Sequence, residues 1–129
     1  MIDWSRYPNF HRAEFDSPDA LYSGENMKKE FMEMLQHARD LANRPFVVTS
    51  GYRTKEYNER IYRELGKPPT NSSHLRGYAA DIACGSSSLR YTIIKAAITA
   101  GFKRIGIGKT FVHLDCDPTL SNEVTWIYT

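Results

Sequence analysis

The sequence predicts an α+β fold whose sheet is mostly antiparallel, with helices flanking it. Apolar positions recur with a helical period in three separate stretches. Short β-branched and aromatic runs lie between and after those stretches. The two kinds of segment do not alternate as regular βαβ units, which argues against a parallel sheet. At 129 residues the chain is expected to form one domain over 1–129. Such a domain buries roughly two-thirds of its unfolded surface.

Residues 1–26 read as irregular, with Pro8, Pro18 and Gly24 punctuating polar stretches. MKKEFMEMLQHARDLA then sets Met27, Phe31, Met34, Leu35, Ala38, Leu41 and Ala42 on one helical stripe, with Asn26 as the expected N-cap. FVVTS (46–50) is a β-rich run ending at Gly51. Thr54 is placed to cap a second helix in which Tyr57, Ile61 and Leu65 recur every four residues; Gly66 and Pro68-Pro69 stop it. NSSHLRG reads as a loop and YAADIAC (78–84) as a strand. Ser86 to Ser88 open a third helix, with Leu89, Ile93, Ala96, Ala97 and Ala100 inward and Gly101 at its end. RIGIG, TFVHLDC (110–116) and VTWIY (124–128) read as three further strands.

The composition is that of an ordinary globular protein, 41% hydrophobic and 25% charged, which excludes disordered and collagen-like classes. Net charge is +2 with no Lys/Arg-rich run, so nucleic acid is not an expected partner. No stretch approaches a membrane span, and MIDWSRYPNF lacks the pattern of a secretory signal. The protein is therefore expected to be made in the cytoplasm and to be monomeric. Cys84 and Cys116 read as two small buried residues in a reducing compartment.

The chemistry concentrates in SSHLRGYAAD (72–81) and in strand 110–116. Alternation along that strand puts His113 and Asp115 on one face, with Val112 and Leu114 on the other. A histidine and an aspartate on one side of an apolar strand cost free energy unless both are paired or bound. Together with His74 and Asp81, His113 suggests two imidazoles and a carboxylate around zinc, with a fourth position open. Each residue alone has a plainer reading: His74 solvated in a loop, Asp81 paired with an arginine, His113 bonded to a carbonyl.

SSHLRGYAAD matches SxHxxGxAxD at every fixed position, through Ser72, His74, Gly77, Ala79 and Asp81. SGYRT (50–54) precedes it and FVHLD (111–115) follows it in order and distance. In these motifs the chain resembles the zinc D-alanyl-D-alanine carboxypeptidases and L-alanyl-D-glutamate endolysins. Their metal-binding fold is shared with the amino-terminal domain of hedgehog proteins. The short form, with YPNF and EFDSPD upstream, looks most like small phage members.

The resemblance implies one zinc ion held by His74, Asp81 and His113. It implies that Arg53 stabilises the oxyanion of the tetrahedral intermediate and that Ser72 orients the site or a substrate carbonyl. Tyr78 is a candidate for lining a peptide groove. Relatives often carry the general base three residues before the last metal histidine, or a histidine two before it. Here those positions are Thr110 and Phe111, and neither takes a proton. Asp115 is then a candidate base, or a partner that holds His113 or Arg53 in place; Asp117 and Glu123 have no face argument behind them.

The expected function is zinc-dependent hydrolysis of peptidoglycan stem peptides at a bond involving a D-amino acid, on the cell wall after release or as part of a virion, as in a phage lysin. The alternatives are a binding or structural module that retains the metal without turnover, and a cytoplasmic peptidase on ordinary peptides.

Overall fold

The computed structural model describes residues 1–129. Its helices are α1 (Lys29–Ala42), α2 (Lys55–Glu64) and α3 (Ser87–Ala100). Its strands are β1 (Val48–Ser50), β2 (Ala79–Ala83), β3 (Arg104–Ile107), β4 (Phe111–Asp115) and β5 (Val124–Ile127). The strands form one sheet in the order β1-β2-β4-β3-β5. All neighbouring pairs are antiparallel except β3 and β5. The fold is α+β with a mostly antiparallel sheet, as the sequence predicts. No helix is long and apolar enough to cross a membrane.

Strand alternation divides the sheet into two faces. On one, Ala80, Ile82, Val112, Leu114 and Ile105 join Phe31, Met32, Leu35 and Ala38 of α1 and Ile93, Ala96 and Ala97 of α3 in a single buried cluster. The other face carries a cross-strand row. Ser50 pairs with Asp81, Asp81 with His113, His113 with Gly106, and Gly106 with Trp126. Ser50 joins this row through an irregularity in β1. Val48 pairs with Ile82, yet Ser50 pairs with Asp81, so two residues of β1 are set against one of β2.

Helix ends follow local chemistry. Thr54 Oγ1 accepts from Tyr57 N at 3.1 Å to open α2, and Ser86 Oγ accepts from Leu89 N at 3.1 Å to open α3. Gly101 closes α3 at φ 112°. The expected Asn26 cap is not formed. Asn26 ends a 3₁₀ turn (Ser23–Asn26), and Lys28, whose N–H bonds the Gly77 carbonyl at 2.9 Å, takes the N-cap position without a side-chain bond. On α1, Leu41 is exposed and Met32 is fully buried instead. The α2 stripe also differs: its one buried residue is the polar Asn58, while Leu65 is exposed. Residues 1–26, read as irregular, contain three 3₁₀ turns.

Candidate metal centre

His74 sits in a 3₁₀ turn (Ser73–Arg76) that leads into β2. Ser72 opens the turn, its Oγ accepting from His74 N at 3.2 Å. Gly77 closes it at φ 77°, and a Cβ there would run into the Asn26 carbonyl. The ring is fixed from behind: Nδ1 donates to the Gly51 carbonyl at 2.7 Å, so Nε2 is the nitrogen left to face inward. His113 is held in the same way. Its Nε2 donates to Asp115 Oδ2 at 2.7 Å, and Nδ1 lies 2.9 Å from Asp81 Oδ1.

His74, Asp81 and His113 are all buried, and each offers a donor atom within 4.8 Å of the other two. His74 Nε2 and His113 Nδ1 approach the same Asp81 oxygen, at 3.4 and 2.9 Å. Both rings already spend an N–H on their far side, so both bring a lone pair against one carboxylate. That is favourable with a proton on His113 or a metal ion between them, and two imidazole nitrogens with one carboxylate oxygen are a donor set zinc accepts. The residues fit the metal. The same geometry moves the titrations. Burial lowers the His74 imidazole, against the pull of Asp81. Burial also acts to lower His113, but its bonds to Asp115 and Asp81 prevail and raise it. Burial acts to raise Asp81, and the two histidines outweigh it, holding the carboxyl far below its usual range.

Arg53 adjoins the centre, with its NH2 group 3.4 Å from Asp81 Oδ2. Ser50 Oγ accepts from its Nε at 3.0 Å and Asn58 Oδ1 from NH1 at 3.3 Å. Asn58 in turn donates to the Thr70 carbonyl at 3.2 Å, which explains why α2 buries a polar residue.

Asp115 lies behind His113. Its second oxygen accepts from Arg104 Nε at 2.6 Å and from Asp117 N at 3.2 Å, and the residue is 1% exposed. Both Asp115 oxygens are thus engaged, Oδ2 by His113 and Oδ1 by Arg104 and the Asp117 N–H. Asp117 is committed to Arg76 and Thr119, and Glu123 is an exposed αL residue ahead of β5. Tyr78 precedes β2, its ring 5.8 Å from Lys28 Nζ, and it lines a surface pocket with Tyr52, Leu75 and Arg76. Cys84 is buried in the core cluster as expected, Cys116 is only half-buried against it, and neither is disulfide-bonded.

Four residues of the site face carry no motif in the sequence. Arg104 bonds Asp115 and stacks 5.0 Å over the Trp126 ring. The Trp126 and Tyr128 rings lie 5.4 and 6.2 Å from the His113 ring. Gly106 makes room for both: a Cβ there would come 2.6 Å from the Tyr128 ring and 2.7 Å from Trp126 Nε1. Burial pushes the Tyr128 phenol up to about 12; the Trp126 indole N–H opposes the shift and the Asp81 charge adds to it.

Fold and centre together define a metallopeptidase. The chain belongs to the peptidase M15 family, whose model matches residues 9–115. That family comprises zinc-dependent peptidases of the D-alanyl-D-alanine carboxypeptidase type, and the motif resemblance led to the same group. No curated protein matches the chain. The family match ends at Asp115, so β5 with Trp126 and Tyr128 lies beyond it.

Proposed function

We propose that residues 1–129 act as a single zinc peptidase domain that hydrolyses peptidoglycan stem peptides at a bond involving a D-amino acid. The observation that carries this reading is the buried His74–Asp81–His113 cluster with Arg53 beside its carboxylate. In this reading zinc is held through His74 Nε2, an Asp81 oxygen and His113 Nδ1. When bound it supplies a Lewis acid for the peptide carbonyl and a water made nucleophilic near neutral pH.

The chain's own residues do the rest. The Gly51 carbonyl and Asp115 hold the two rings in one orientation and fix which nitrogen faces inward. Ser50 and Asn58 pin the Arg53 guanidinium, so its positive charge is in place before the carbonyl oxygen becomes negative. Ser72 acts by fixing the turn that presents His74. The D-amino acid preference, the wall as substrate and action as a phage lysin after release or within a virion rest on the SxHxxGxAxD resemblance. The protein works as a monomer.

A second reading is favoured by one observation. Asp115 is turned away to Arg104 and the Asp117 N–H, and Thr110 and Phe111 supply no base. A module that retains zinc and binds wall peptides without cutting them would need none. Purified peptidoglycan digested with zinc-loaded protein, beside His113→Ala, separates the two by mass spectrometry. Fragments released by wild type alone support the peptidase. Intact peptidoglycan with one zinc per chain supports the binding module.

A further inference from the structure

We propose that Tyr128 is a further catalytic residue. Its hydroxyl donates a hydrogen bond to the carbonyl oxygen of the peptide bond held at the His74–Asp81–His113 centre, across from Arg53. This rests on the peptidase reading for the identity of the ligand, but the contact itself rests on geometry.

Parallel pairing with β3 puts Trp126 beside Gly106, and Tyr128 N bonds the Ile107 carbonyl at 2.9 Å, so the ladder continues past the end of β5. Alternation then places Tyr128 with Trp126 on the face that carries Asp81 and His113. The Tyr128 ring meets His113 edge-on at 6.2 Å and Phe111 at 5.1 Å. The charged and titratable groups that act on its hydroxyl are Asp81 of β2, Arg53 of the loop after β1, and Tyr62 of α2. Tyr128 Cε2, next to the hydroxyl-bearing carbon, would lie 2.6 Å from a Cβ at Gly106, the cross-strand neighbour of His113, so the hydroxyl end of the ring sits over the face that carries the centre. A phenol O–H donates readily to an oxygen ligand. The residue is 41% exposed, so an incoming peptide reaches it, whereas the donor atoms of the centre are buried.

A ring that merely shields His113 has no need of the hydroxyl, which makes Tyr128→Phe the decisive change. The cobalt-loaded full chain is titrated with acetohydroxamate, a small oxygen ligand whose binding is read from the cobalt visible spectrum. Loss of one hydrogen bond to a charged oxygen predicts an affinity about tenfold weaker in Tyr128→Phe, at unchanged metal content and melting temperature. Equal affinity in the two proteins overturns the proposal, as does failure of the wild type to bind the probe at all. Peptidoglycan digestion is run in parallel. A peptidase predicts kcat lower by about tenfold or more in Tyr128→Phe with KM little changed. A probe difference without any release of wall fragments by wild type sustains the Tyr128 contact and removes the peptidase reading alone.

Discussion

The main-chain carbonyl of Gly51 holds His74 by Nδ1 at 2.7 Å. The residue that follows β1 in the SGYRT stretch thus sets which nitrogen of the SxHxxGxAxD histidine looks inward. Gly51 itself is pressed against Phe15, where an added Cβ would come 2.6 Å from the Phe15 Cα. The anchor is therefore part of the packed body of the protein and not a mobile loop. The His74 ring is thus oriented by packed backbone, through the Gly51 carbonyl.

Metal removal is expected to lower stability markedly. A ligand that binds only the folded state at a thousandfold excess over its Kd contributes about 4 kcal/mol. For a chain of this size that is on the order of 10 °C in Tm. Calorimetry with stoichiometric zinc and with chelator measures it, and His113→Ala is expected to abolish the difference.

Asp115→Asn is expected to weaken zinc binding by about 10- to 100-fold. Asp115 orients His113 and also neutralises Arg104, which the amide leaves without a charged partner. Competition with a chromophoric chelator reads the affinity. An unchanged value would remove the positioning role.

Arg53→Lys keeps the charge but loses the fork that Ser50 and Asn58 hold. Turnover of wall peptides is expected to fall at least tenfold, while zinc affinity changes less than about threefold. A fall confined to zinc affinity would assign Arg53 to Asp81 alone.

Asp117 makes stability depend on acid. Burial acts to raise its carboxyl, but its bonds to Thr119 and Arg76 bring it down from 3.8 to about 2. A lowered carboxyl stabilises fully above the unfolded value, and the contribution disappears as pH falls through the folded one. Asp117→Asn should cost about 2 kcal/mol at neutral pH, and the gap to wild type should close between about pH 4 and 2. Denaturant titrations at several pH values follow the gap.

Gly106→Ala is expected to displace the Trp126 and Tyr128 rings from His113, because both lie under 3 Å from the added Cβ. Near-UV circular dichroism and indole fluorescence should change, while the far-UV spectrum, dominated by α1 and α3 on the other face, stays the same.

The three metal candidates were legible because the SxHxxGxAxD resemblance carries His74 and Asp81, and because alternation set His113 beside Asp115 on one strand face. Alternation also gave the right face for Asp115. It does not say which nitrogen of His113 meets that carboxylate, and this separates a base from a positioning partner. Gly106, Arg104, Trp126 and Tyr128 were hidden for a different reason. They matter only through β3 pairing with β4 on one side and β5 on the other, and register between distant strands leaves no periodic mark in the chain. Helix α2 showed a stripe, but its buried residue is Asn58, selected by a bond to Arg53 and not by hydrophobicity.

The row Ser50–Asp81–His113–Gly106–Trp126 crosses all five strands, and its members arrive in the order β1, β2, β3, β4 and β5 along the chain but not across the sheet. Strand β4 inserts between β2 and β3, so Asp81 meets His113 only after a long loop closes. No emerging portion of the chain that stops short of β4 brings the two together. Metal capture during refolding should therefore trail helix formation and coincide with closure of the sheet, so the metal would serve as a built-in timer of the last cooperative step in folding.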